Sequence, residues 1–145
     1  MANFHVQGID DLAKGLKLLG QETGPMAEDM LRAGAVIMIG TWNQVIIARG
    51  HVDTGAMLKG VKATKIKKNK DGDLEIQVYP QGKDKDGTRN AEKAFLLHYG
   101  WKSNAATKGP WVGDHFVNEI EDQGTPKAIE AMEFIMNKQI ERSGL

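Results

Sequence analysis

One segment constrains the fold more than any other. From Met26 to about Arg49 the chain reads "MAEDMLRAGAVIMIGTWNQVIIAR", helical in period and apolar over a wide band. Thr23 suits an N-cap, Pro25 the first turn, and Glu28 and Asp29 the positive end of the helix dipole. Met30, Ala33, Ile37, Thr41 and Ile46 lie near one face, and Leu31, Ala35, Met38, Trp42 and Val45 on a neighbouring one. Gly50 is the expected C′ glycine. A band this wide is more than one core contact requires. Either the helix is covered on most sides, or one of its faces meets another subunit.

The remaining segments are shorter. Asn3 to Ile9 reads as a strand or extended arm, and Asp10 or Asp11 can cap a short helix through Leu19. His51 to Gly60, "HVDTGAMLKG", reads as a loop containing an Asp53-Thr54-Gly55 turn, in which Gly55 takes positive φ. Two β segments follow, Met57 to Ile66 and Leu74 to Tyr79, with Asp71-Gly72 as the hairpin signal between them. In the first, Leu58, Lys62, Thr64 and Ile66 alternate with Lys59, Val61, Ala63 and Lys65; in the second, Leu74, Ile76 and Val78 share a face. Pro80 to Asn90 is a polar loop, Ala91 to Tyr99 a helix stopped by Gly100, and Lys102 to Gly113 irregular. A helical turn or two is expected over Asp114 to Glu121. A last helix is capped by Thr125, with Pro126 at its first position and Ala128, Met132, Ile135, Met136 and Gln139 inward. The expected architecture is α+β: one long helix and a C-terminal helix packed against a small antiparallel β-sheet with a long hairpin, in a single domain over residues 1–145.

Composition narrows the function classes. The 145 residues suit one domain, and 19 basic residues balance 19 acidic ones. Whole-protein electrostatic nucleic-acid binding is therefore disfavoured, while self-association is permitted. The chain has no cysteine, which removes disulfides, thiolate metal sites and thiol nucleophiles. The N-terminus lacks the pattern of a secretory signal, and no uninterrupted apolar run reaches membrane-spanning length.

No catalytic set is apparent. His5, His51, His98 and His115 have no metal-ligand spacing, and the local pairs His51-x-Asp53 and Asp114-His115 occur readily by chance. Structural or solvent-facing histidines are the better reading. The Asp-Thr-Gly triplet also occurs in aspartic proteases, but here a helix end precedes it rather than an apolar strand, so a structural turn outweighs a protease motif. Neither a nucleotide-binding loop nor a nucleophile elbow occurs. The expectation is a non-enzyme without cofactor or metal.

Two features suggest contacts. Lys59, Lys62, Lys65, Lys67, Lys68 and Lys70 put six lysines into twelve residues with no acid among them. The plain reading is a sheet edge protected from strand pairing. The sharper one is a basic finger, Lys62 to Lys70, meeting phosphates or a partner. Trp101, Trp111 and Phe116 lie in or beside a glycine-containing irregular segment, either as a lid on the core or as anchors of an assembly interface.

The order of these pieces resembles a known family. An opening "FHVQGIDDL", a long helix, "VDTGAMLKGV", a hairpin, "AFLLHYGW" and "HFV" before a last helix resemble the tail-completion, or neck, proteins of long-tailed, siphovirus-type bacteriophages. Thr54, Gly55 and Leu58 match the family's turn, Tyr99 and Gly100 its aromatic-glycine pair, and Phe116 the phenylalanine before the last helix. The chain departs from the pattern at His51, His98 and Trp101, and "VNEIEDQGTPKA" replaces a Pro-Ala stretch after Phe116. The resemblance implies a structural virion protein. It would form a ring, hexameric in the family's manner, at the top of the tail near the head–tail joint. Its partners would be neighbouring tail-tube, tail-terminator or head-completion proteins, with DNA passing non-specifically and no membrane involved. It would lie in the virion after assembly in the host cytoplasm. The alternative is a small DNA-associated accessory protein using the lysine-rich hairpin.

Overall fold

The computed structural model describes residues 3–4, 24–102 and 109–142. The expected helix to Leu19, the Thr23 cap, His5 and the extended arm beyond Phe4 lie outside the described residues, as does the middle of the segment from Lys102 to Gly113. The described elements are β1 (Asn3–Phe4), α1 (Gly24–Ala48), α2 (Ala56–Gly60), β2 (Val61–Ala63), β3 (Lys67–Lys68), β4 (Leu74–Pro80), α3 (Asn90–Tyr99), β5 (Gly100–Trp101), β6 (Trp111–Val112) and α4 (Phe116–Arg142). The class is α+β, as expected from the alternation of periods.

Helix α1 is the centre of the packing. It touches α4 along its length and also packs on β4 and β2. Met30, Leu31, Ala35, Met38, Trp42, Val45 and Ile46 are all buried, so both apolar faces read from the sequence are used inside the chain. Its end is a full Schellman closure. Gly50 N–H donates to Ile47 O at 3.1 Å and His51 N–H to Ile46 O at 2.9 Å, with Gly50 at φ 70°. By length and composition α1 would suffice to cross a bilayer, although it lacks a long uninterrupted apolar run. Half of its most apolar window is buried in the fold, as in the core helix of a globular domain.

Strand β4 organises the sheet. It pairs antiparallel with β1 through Asn3↔Gln77 and Phe4↔Ile76, and with β2 through Val61↔Pro80, Lys62↔Tyr79 and Ala63↔Val78. It pairs with β3 through Lys67↔Glu75 and Lys68↔Leu74. Ile76, Val78 and Pro80 are buried, and Leu74 is half-buried on the same alternation. The hairpin turn forms at the expected place. Gly72, at φ 83°, donates to Asn69 O, and the Asn69 side chain accepts from the Asp71 and Asp73 amides.

Four expectations need correction. The segment from His51 to Gly60 is not all loop: Ala56–Gly60 forms α2, and Leu58 and Lys59 belong to it. The first β segment is shorter than Met57 to Ile66 and does not alternate throughout. Thr64, Lys65 and Ile66 span the gap opposite Ile76 and Gln77, one residue more than the partner strand supplies. This β-bulge lets the Thr64 hydroxyl accept from Gln77 N–H at 3.0 Å, and it breaks the side assignment of Lys62, Thr64 and Ile66. The segment from Lys102 to Gly113 is not wholly irregular, because β6 closes a short ladder on β5.

The fourth correction is α4. It is one helix from Phe116 to Arg142, and Thr125 and Pro126 lie inside it. Proline removes one helical hydrogen bond, but Gly124, two residues earlier, packs so closely on α1 that a Cβ there would stand 2.7 Å from Met38 Sδ. Ile120, Gly124, Ala128 and Met132 make a continuous buried stripe through the proline. Packing of that stripe overrides the local stop signal.

Candidate functional site

The lysine edge follows from the sheet topology. β2 and β3 are successive parts of one bulged strand on the same side of β4, and their outer edge is unpaired among the described residues. Lys59, Lys62, Lys65, Lys67, Lys68 and Lys70 are all exposed. Among the described residues, the one ion pair they make is Lys67 to Glu75, at 3.8 Å. Lysines and a bulge on an open edge are the devices that block strand addition. The same row of ammonium groups also leaves nearly all its charge available to a ligand.

The aromatic residues do not act as one group. Trp101 stacks on Trp111 across the β5–β6 ladder, with centroids 6.0 Å apart and planes at 29°. Trp101 Nε1–H donates to Gly109 O at 3.1 Å, and Trp111 Nε1–H to Leu97 O at 3.0 Å. Both rings are half-buried. Phe116 is 0% exposed and meets Trp42 edge-on at 6.0 Å. Its place in the candidate assembly interface is therefore withdrawn, since it fills the core between α1 and α4. Two aromatics not assigned to an interface from the sequence are exposed instead. Phe95 and Tyr99, one turn apart on α3, contact each other at 4.7 Å and are 50% and 60% exposed.

Three histidines converge, in pairings other than the local ones. The imidazole of His51 bonds Asp114, not Asp53. His98 accepts from Val117 N–H through Nδ1 at 3.3 Å and meets His115 Nδ1 through Nε2 at 3.4 Å. A ring that accepts at Nδ1 carries its proton on Nε2, so His98 donates to His115 and is neutral in this arrangement. Burial, and secondarily the neighbouring His115, pushes the His98 pKa down. Gly113 makes this clasp possible, because a Cβ there would overlap the His98 carbonyl. His115 follows in the left-handed region at φ 53°.

The Asp-Thr-Gly turn is tied down by residues that the sequence reading left aside. Gly55 takes φ 84°, as expected. The Thr54 hydroxyl donates to Asp84 Oδ2 at 2.7 Å and accepts from Ala56 N–H at 3.2 Å. Asp84 is buried, bonds the Lys93 ammonium, and accepts from Lys85 N–H at 2.6 Å. These groups, Lys93 first, hold the Asp84 carboxyl down at about 2. The Lys93 pKa is raised by the same bond. Asn90 completes the junction, donating from Nδ2 to Ala56 O and Gln81 O at 3.1 and 2.8 Å. Asp53 itself is exposed. Asp84 and Lys93 carry no local signal in a polar loop and a short helix; the Asp84-x-Asp86-Gly87 turn was the available hint.

The cleft beside this turn, lined by His51, Thr54, Met57, Asp84, Lys93 and Leu97, has about 60 Å³. That is room for a few waters, far below the roughly 300–1,000 Å³ of small-molecule pockets. Thr54, Asp84 and Lys93 are already bonded to one another, and His51 to Asp114. Among the described residues, no group of three or more His, Asp or Glu side chains is placed to share a metal ion. The arrangement is that of a braced junction; among the described residues, the lysine edge, the exposed apolar side chains and a cleft of about 190 Å³ between Asp29 of α1 and Lys138 and Arg142 of α4 remain open.

Comparison with known proteins returns no matching family model, no matching curated protein and no matching solved structure.

Proposed function

We propose that this chain is a structural virion protein of a long-tailed bacteriophage that assembles as a ring at the top of the tail, near the head–tail joint. What carries the reading is the order of its motifs, which fall at the joints of the fold. Thr54 and Gly55 make the turn between α1 and α2, Tyr99 and Gly100 end α3, and Phe116 opens α4. The large apolar side chains Val36, Ile47, Phe95, Tyr99, Val112 and Phe134 are exposed among the described residues and are available to contacts between copies. The second reading, a small DNA-associated accessory protein, is favoured by the unneutralised lysine edge.

The test is deletion of the gene from the phage or prophage that carries it, followed by electron microscopy and mass spectrometry of the particles. The expected result is filled heads and tails that fail to join, with the wild-type protein present in purified virions. Infectious virions of normal yield lacking the protein would overturn the reading.

A further inference from the structure

The lysine edge has a counterpart on the same chain. Along α4, the positions Glu119, Asp122, Pro126, Glu130, Glu133, Asn137 and Glu141 follow one another at steps of three and four, so they form one line on the helix. The buried stripe of Ile120, Gly124, Ala128 and Met132 occupies the opposite side. The line therefore faces outward, with five carboxylates and no cation on it; Lys127, Lys138 and Arg142 project from its flank. Glu119 is engaged by Arg49 at 2.7 Å. Asp122, Glu130, Glu133 and Glu141 are exposed, and no ion pair engages them among the described residues.

A solvated surface ordinarily intersperses its charges. Here like charges are segregated, and Glu130 and Glu133 repel each other one helical turn apart. The two surfaces are opposite in sign, and the acidic line is long enough to accommodate the lysine edge. The acidic line from Glu119 to Glu141 is about 33 Å long at a helical rise. The lysine edge from Lys62 to Lys68 is on the order of 20 Å at a strand rise. They do not meet within one chain: α4 packs on α1, and α1 in turn packs on the strands. Phe134, exposed beside the acidic line and already under the Lys138 ammonium at 4.7 Å, offers a ring face for a further lysine.

We infer that the lysine edge of one copy docks along the acidic face of α4 on a second copy, head to tail. The inference rests on the self-assembling part of the reading above, and not on its virion location. Two unlike surfaces on each protomer make a heterologous contact, the kind that closes into a ring when the rotation permits. It also explains how a chain with no net charge carries a concentrated basic edge.

The experiment is sedimentation of the purified full chain at low and high salt, with two charge-reversal variants. One carries Lys65→Glu, Lys67→Glu and Lys68→Glu; the other carries Asp122→Lys, Glu130→Lys and Glu133→Lys. The wild type is expected to self-associate at low salt and to dissociate as salt rises. Each variant alone is expected to weaken association by at least roughly tenfold, with its melting behaviour retained. An equimolar mixture of the two variants is expected to regain it, because each supplies the sign that the other lacks. A monomeric wild type at low salt, or a mixture no better than its parts, overturns the inference. So does loss of duplex-DNA binding in the lysine variant with self-association intact. Absence of the protein from virions would defeat the proposed location and leave this result standing.

Discussion

His51 Nε2 stands 2.7 Å from Asp114 Oδ2, across 63 residues of sequence. The His51 side chain is only 5% exposed, and its ring meets Phe116 at 4.9 Å and Trp111 at 6.2 Å. Arg49 reaches the same carboxylate at 3.7 Å. The contact joins the end of α1 to the entry of α4, where Asp114 Oδ1 also accepts from Phe116 N–H at 3.1 Å. Asp114 thus organises the helix start. Asp114→Ala is expected to lower stability by about 1–3 kcal/mol, since it removes a part-buried charged acceptor and leaves donors unpaired. Urea denaturation checks this; an unchanged midpoint would show that the junction is held without it.

The Asp84 carboxyl gives an acid limit. Its native pKa of about 2 lies below the ordinary value of 3.8. A depressed carboxyl contributes stability that is complete above its unfolded pKa and is lost as pH falls through the native one. The expected loss therefore falls between about pH 4 and pH 2. In Asp84→Asn this portion of the acid transition should vanish. Thermal melts of both proteins across that window measure it, and identical pH profiles would contradict the assignment.

His98 acts at milder pH. Its pKa is lowered by burial, so the unfolded chain binds the proton more readily. Stability is then expected to decline as pH falls below about 6.5 and to level off below the native pKa. Protonation would also end the Val117 N–H bond at Nδ1 and place charge beside His115. Replacement by asparagine should flatten the slope over the acidic interval below about pH 6.5, read by melting temperature. A wild type equally stable across that interval would refute this origin.

Two helical glycines should respond oppositely. Gly40 is exposed in α1 with open space where a Cβ would be, so Gly40→Ala is expected to stabilise by about 1 kcal/mol through helix propensity. At Gly124 a Cβ meets Met38 and the Thr41 hydroxyl, at 2.7 and 3.1 Å. Gly124→Val is expected to destabilise by about 1–3 kcal/mol through overpacking. Denaturation midpoints of the two variants give both signs.

The elements readable from sequence were those with strong periodicity or an obligatory glycine. α1 ends at Gly50, α3 ends at Gly100, the hairpin turns at Gly72, and β4 alternates as written. Misreadings arose where local signals competed with packing. Gly124-Thr125-Pro126 looks like a helix boundary, yet the close approach to Met38 carries α4 through it. α2 and β6 are too short to show a period. The candidate site was less legible because its bonds are long-range. His51 and His115 each have an acidic neighbour in sequence, yet His51 reaches across the fold to Asp114, and His115 to His98. The lysine edge was legible as a charge run, but its bulge depended on a count against β4.

Separating core aromatics from contact aromatics is the remaining step. Phe116 has no exposed surface, so Phe116→Ala is expected to cost about 3–5 kcal/mol by cavity formation. Trp101 is half-buried against Trp111, and Tyr99 and Phe95 are largely outside. Trp101→Ala should cost clearly less than the Phe116 change, because solvent replaces part of what the ring touches. Tyr99→Ala and Phe95→Ala should leave the melting temperature nearly unchanged, since neither ring is in the core. If the α3 aromatics belong to an assembly contact, the paired variant Phe95→Ala, Tyr99→Ala should weaken self-association while folding normally. Sedimentation beside thermal melting separates the two effects. Intact association by the paired variant would assign these rings to solvent and leave the lysine edge and the acidic face of α4 as the contact between copies.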